Sequence, residues 1–288
     1  RKKGPSLPAD QLRLDRHERW LQAAMATLTH SVHPQLICLF WSHHTQNILQ
    51  QAWSLAGGKG SDLALLALGK LGANELNLSS DVDILFVCKH TPGKAEHKIV
   101  RSFISLLNQA TEFGFCYRVD TDLRPGGRLG PVISSVNQIE DYYWSQGLTW
   151  ERVALVRLNS IIGNPDVIQS INKIVKKFCF RKFLDYTLFE DIKELRSKIR
   201  GHYHQADTEN SLNLKLTAGG IRDIELYINA LQVIHGGRLP ELQINGTSQA
   251  IKSLRKLQVI DADTLDHLES SYWKFRQVEN AVQAIDDQ

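Results

Sequence analysis

The sequence predicts an α+β fold, a small mixed sheet set among helices and followed by a helical bundle. Two observations point there. Short runs at Leu63–Leu68, Ile84–Val87 and Tyr117–Leu123 have the length and composition of strands. On both sides of them, from Asp10 to Leu55 and again after Asn137, apolar residues recur at helical spacing.

The elements follow in order. Leu12, Leu14, Trp20 and Leu21, then Leu36, Leu39, Phe40, Ile48, Trp53 and Leu55, predict two helices that part near His33-Pro34. Ala56-Gly57-Gly58-Lys59-Gly60-Ser61 is a linker. A strand–turn–helix–strand block then runs to Val87, and Thr91-Pro92-Gly93 makes a turn. Ile99, Phe103, Ile104, Leu106 and Leu107 mark an amphipathic helix, and Tyr117–Leu123 is a strand stopped by Pro125-Gly126-Gly127. Beyond Asn137 helices are expected at about 138–146, 148–159, 164–178, 184–206, 219–235, 247–258 and 261–286, with one break at Leu212–Gly220. The layout divides into an N-terminal helical segment (1–60), a catalytic domain (61–160) and a helical bundle (161–288).

The 288 residues exceed one average domain, and 42 % hydrophobic content is ample for a core. A net charge of +3 is only weakly basic and does not argue for nucleic acid, which needs a clustered basic face. Cys38, Cys88, Cys116 and Cys179 stand far apart and read as buried thiols of a reducing compartment, so a cytoplasmic location is expected. No stretch reaches the roughly 20 apolar residues of a membrane span, and no signal-peptide pattern opens the chain. It starts at Arg1 without a methionine and ends inside an apparent helix, as a segment of a longer protein would.

The chemistry concentrates at Asp81 and Asp83. Two carboxylates one residue apart lie on the same face of a strand. Like charges so placed cost stability unless cations neutralise them, and Mg²⁺ or Mn²⁺ are the natural partners of oxygen ligands. A bare Asp-x-Asp also fits an edge strand facing water. The surroundings favour a phosphate site: Gly69 and Gly72 open a turn that lets backbone N–H groups approach an anion, and Ser79 and Ser80 add hydroxyl donors. Paired cations need more ligands than two aspartates supply, and the strand around Asp120 and Asp122 offers two candidates for a third. Arg124 lies on the same predicted face, where its fork could hold a phosphate.

Trp150-Glu151-Arg152 with Arg157 forms a second cluster, equally compatible with a half-buried helix. Lys215–Glu225 places Gly219-Gly220 at a helix start, with Arg222 and Glu225 at i,i+3; it suits an anion site or a simple ion pair. Neither His43-His44 nor His202/His204 has the spacing of a helical zinc pair.

Gly69-Lys70, ten intervening residues and then Asp81-Val82-Asp83 resemble the signature of polymerase-β-like nucleotidyltransferases. Lys70 departs from the small second residue of that superfamily. It agrees with one branch, the bifunctional glutamine synthetase adenylyltransferase/adenylyl-removing family. Further marks of the branch are Tyr-Arg-Val-Asp-x-x-Leu-Arg-Pro (117–125), Trp-Glu-Arg (150–152), Lys-Leu-x-Ala-Gly-Gly-Ile-Arg-Asp-Ile-Glu (215–225), Gly-Gly-Arg (236–238) and Arg-x-x-Glu-Asn (276–280). The resemblance runs from about Leu63 to Gln288. Ser79-Ser80-Asp81, the stretch Arg181–Tyr186 and Ala218–Arg222 look like the amino-terminal, adenylyl-removing half. Asp122 stands where the family usually has Arg, and Thr217 where it often has Gly.

The resemblance implies a polymerase-β-like fold in which Asp81, Asp83 and Asp120 are the catalytic metal ligands. Gly69, Ser79, Ser80, Arg124 and Arg152 would contact the nucleotide or phosphate. It implies phosphorolysis of AMP from a modified tyrosine of glutamine synthetase, with ATP, ADP, AMP and inorganic phosphate as possible substrates or products. The PII signalling protein is an implied regulator; nucleic acid and membrane partners are not implied. One rival is the reverse, ATP-dependent adenylylation of the same tyrosine, which uses the same acids. Another is a regulatory module that binds nucleotide or PII with little turnover. Asp122 would repel phosphate if it pointed inward, so it is expected to face away or to be neutralised by an arginine.

Overall fold

The computed structural model describes residues 8–182, 187–201, 214–215 and 217–285. It opens on α1 (Pro8–Leu28) and α2 (Pro34–Leu55), which pack on each other. Pro34 begins α2 where a missing N–H costs nothing, and the His33 ring accepts from Gln35 N.

The sheet has five strands: β1 (Leu63–Ala67), β2 (Val82–Cys88), β3 (Val119–Asp120), β4 (Ile133–Ser135) and β5 (Asn159–Gly163). Its order is β3-β2-β1-β5, and β4 also pairs with β2. β1 is antiparallel to β2 and β5, whereas β2 runs parallel to β3 and β4. Helices cover both faces, which explains why β1 and most of β2 read as continuous apolar runs. Leu63, Leu65, Ala67, Val82, Ile84 and Phe86 join one core with α1, α2 and α4 (Lys94–Asn108). The alternate residues Ala64, Leu66, Leu85 and Val87 join a second with α5 (Val136–Ser145) and α7 (Pro165–Cys179). Trp53, Phe86 and Phe103 meet in the first core with ring centroids 5.5–6.4 Å apart.

The remaining helices are α6 (Thr149–Leu155), α8 (Thr187–Gly201), α9 (Ile221–His235), α10 (Thr247–Lys256) and α11 (Ala262–Ile285). Ile224, Ile228, Ile251, Leu254, Leu265 and Tyr272 build a third core that also takes in Cys38 of α2. All four cysteines are buried and free. No helix among the described residues is long and apolar enough to cross a membrane.

Three expectations need correction. The helix expected over 148–159 ends at Leu155, and Asn159–Gly163, between two expected helices, forms β5 against β1. Ile133–Ser135, given no element from the sequence, is β4. The strand expected over Tyr117–Leu123 is only Val119–Asp120, because Asp120 Oδ1 accepts from Asp122 N at 2.7 Å and turns the chain at once. Phe183–Tyr186, His202, His204 and the 202–206 end of a predicted helix lie outside the described residues.

Candidate active site

Short-range backbone constraints build one wall of the site. After β1 the chain turns at Gly69, with φ +54°, into the single-turn helix α3 (Gly69–Gly72). Leu68 N donates to Asp83 O at 2.9 Å, which fixes this turn to β2. A β-carbon at position 69 would collide with the Asp83 carboxylate. Backbone sign and close approach therefore both require glycine there.

Parallel pairing of β2 with β3 sets Val82 opposite Val119 and Asp83 opposite Asp120. Asp81, two residues before Asp83, falls on the same side by strand alternation. Asp81, Asp83 and Asp120 all line a single cavity of ≈ 680 Å³, together with Gly69, Lys70, Ser79 and Ser80. Asp83 is the acid most affected by its surroundings. Burial, then the neighbouring Asp120 and Asp81, push its carboxyl up to about 6. Its oxygens accept no hydrogen bond among the described residues.

The other two acids have partners. Asp81 meets Arg118 Nε at 2.5 Å, while Arg118 Nη2 donates to Ser79 O at 2.9 Å. Asp120 receives the Asp122 amide. Among the described residues, no three metal-ligating side chains already close round one point. The donor set nonetheless fits a hard divalent cation: three carboxylates on adjoining strand ends, one of them destabilised as an anion by burial and by the other two.

The predicted nucleotide and phosphate contacts divide. Gly69, Ser79 and Ser80 line the cavity, but Arg124 and Arg152 do not. Arg124 donates to Thr121 O, Arg128 O and Gly130 O at 2.8–2.9 Å and holds the loop after Asp120 closed. The Arg152 guanidinium lies over the Phe178 ring, 5.1 Å from its centroid. Asp122 does line the cavity, and arginine partners neutralise it: Arg128 Nε stands 2.6 Å away and Arg124 Nη1 3.7 Å away. Lys215 and Arg222 supply cationic lining instead.

A buried polar network backs the cavity. Lys70 pairs with Glu279 of α11 at 3.0 Å. Burial and Arg276 bring the Lys70 ammonium down to about 8, so it is still charged at neutral pH. Arg157 Nη1 reaches Glu225 Oε1 at 3.2 Å, and Tyr272 Oη stands 2.9 Å from Glu75 Oε2 and 3.1 Å from Glu225 Oε1, with one proton shared between them. Burial disfavours the Glu225 carboxylate, but Arg157, Lys70 and Arg276 outweigh it and hold the group at about 2. Thr247 N and Oγ1 each donate to Glu75 at 2.8 Å, and Arg276 donates to the Glu75 backbone oxygen. The network therefore ties the Gly69 turn and α6 to α9, α10 and α11.

Several lining residues carried no sequence signal of their own. Leu195, Leu226 and Asn229 are ordinary helix positions until α8 and α9 fold against α6. Gln283, whose Oε1 accepts from Ser79 N at 3.1 Å, is likewise invisible without the tertiary contact.

The chain resembles known proteins along most of its length. The family model described as glutamate-ammonia ligase adenylyltransferase matches residues 17–174, and that of GlnD PII-uridylyltransferase matches 190–288. Three relatives bear the name bifunctional glutamine synthetase adenylyltransferase/adenylyl-removing enzyme. The protein of Vibrio parahaemolyticus is 32 % identical over 94 % of this chain and 29 % of its own length. That of Shewanella loihica is 36 % identical over 80 % of this chain and 25 % of its own length. In Agrobacterium fabrum the figures are 32 %, 94 % and 28 %. The chain thus spans under a third of these relatives. Its match over more than half its residues makes it a member of the glutamate-ammonia ligase adenylyltransferase family.

Proposed function

We propose that this chain carries the adenylyl-removing chemistry of its family, taking AMP off a modified tyrosine of glutamine synthetase by phosphorolysis. The observation that carries the proposal is Asp83 paired with Asp120 across parallel strands, with Asp81 beside them on one cavity wall. An oxygen of inorganic phosphate forms a bond to the AMP phosphorus while the bond from phosphorus to the tyrosine oxygen breaks. ADP departs, and the tyrosine phenolate takes up a proton.

Asp81, Asp83 and Asp120 would hold Mg²⁺ or Mn²⁺, which when bound supplies charge stabilisation at the phosphorus and at the departing phenolate. Gly69, Ser79 and Ser80 line the same wall and are suited to orient phosphate oxygens. Arg124 and Arg152 act from outside the cavity, Arg124 by shaping the loop after Asp120. Two observations suit an anion pocket beside the AMP phosphorus. Lys215 and Arg222 line the cavity and give the attacking phosphate a positive surface. Arg128 and Arg124 engage Asp122, so that its carboxylate does not repel the incoming anion. The match of 190–288 to the PII-uridylyltransferase model supports PII as the regulator.

The test offers the chain both substrates. AMP-modified glutamine synthetase with phosphate should yield ADP. Pyrophosphate from ATP and unmodified enzyme, with no phosphate-dependent ADP, would reverse the assignment to transferase.

A further inference from the structure

We propose that the helical wall of the cavity is a purine subsite in which Asn229 reads the adenine edge and Trp150 stacks on the ring. This rests on the nucleotide assignment made above for the acidic wall. The two walls differ in chemistry. The strand side presents Asp81, Asp83 and Asp120, whereas the helical side carries an apolar patch of Trp150, Val153, Ala154, Leu195 and Leu226 with Asn229 in it, beside the charged Arg222 and Glu225 of α9. Val153 and Leu226 belong to a buried apolar cluster against which Leu195 packs, so this patch is held firmly. A nucleoside phosphate needs such a pairing, with an apolar face for the base next to a charged face for the phosphate.

Asn229 is the one neutral amide set into the α6 and α9 lining, and it is only 5 % exposed. Its Nδ2 reaches Val153 O at 3.5 Å, the limit of a hydrogen bond, and its Oδ1 accepts none among the described residues. With so weak a partner inside the protein, the amide is available to a ligand that engages both of its functions. The amide offers a donor and an acceptor side by side. Adenine matches it with the N6 amino group next to a ring nitrogen. Guanine sets two acceptors, O6 and N7, along the corresponding edge and so forfeits one of the two bonds. Trp150, half-buried at the start of α6, adds an indole face sized for a purine.

Calorimetric titration of the 288-residue chain with AMP, GMP and ribose 5-phosphate, each with Mg²⁺, tests this. AMP should bind about tenfold tighter than GMP, one hydrogen bond's worth of discrimination. Asn229→Leu should erase that preference and leave ribose 5-phosphate unchanged. Trp150→Ala should weaken both purines and spare ribose 5-phosphate, and it serves if Asn229→Leu fails to fold. Equal binding of AMP and GMP, or a preference that survives Asn229→Leu, overturns the role of Asn229. AMP held no tighter than ribose 5-phosphate overturns the subsite while leaving the acidic wall intact. Binding of neither would overturn the nucleotide assignment itself.

Discussion

At the scale of single residues, Asp83 carries the most consequence. It is crowded by Asp81 and Asp120 and accepts no hydrogen bond among the described residues, so its charge is costly to the folded chain alone. On the proposed chemistry, in which charge stabilisation at phosphorus is the main catalytic contribution, Asp83→Asn should cut turnover by several orders of magnitude. Without divalent ions the same variant should melt no lower than the parent, since it relieves repulsion. Steady-state rates and thermal melts with and without Mg²⁺ check both halves. Gly69→Ala should damage both stability and rate, because it adds a strained φ and a collision with the Asp83 carboxylate. That Asp81 and Asp83 share a face could be read from sequence because strand alternation is local. The arginines could not. Arg124 seemed free to hold phosphate, yet the chain turns at Asp120 and presents three carbonyl oxygens to it.

At the scale of elements, strands flanked by turns were legible and isolated short ones were not. β1 and β2 are apolar on both faces and stand between glycines and polar turns, so their limits show. β5 holds only Asn159–Gly163 directly after a helix, and its strand character comes from the open edge of β1. The helices of the C-terminal region were readable by period, but not the ion network joining them to the sheet. Glu225 anchors that network. Its carboxyl is held at about 2 against an ordinary 4.5, so its stabilisation is complete above pH 4.5 and is lost as pH falls toward 2. Unfolding by urea at pH 7 and at pH 3 should show this loss. Glu225→Gln, which leaves Arg157 and Arg276 underpaired, should cost about 3 kcal/mol at pH 7 and flatten the acid dependence.

At the scale of the whole molecule, one cavity lies where the sheet, α6 and the C-terminal helices meet, and the buried ion pairs hold those parts together. Lys70–Glu279 runs from the turn beside Asp83 to α11, so Glu279→Gln should lower both stability and turnover even though Glu279 is no part of the acidic triplet. Parallel melts and rates would show the two falling together. The central claim is that Asp81, Asp83 and Asp120 form one divalent-cation site. Titration with Mn²⁺ at pH 7.5, followed by electron paramagnetic resonance, tests it most directly. Saturable Mn²⁺ binding should be present in the parent chain, lost in Asp83→Asn and in Asp120→Asn, and kept in Asp122→Asn. Equal Mn²⁺ affinity in the parent and in Asp83→Asn would contradict the claim.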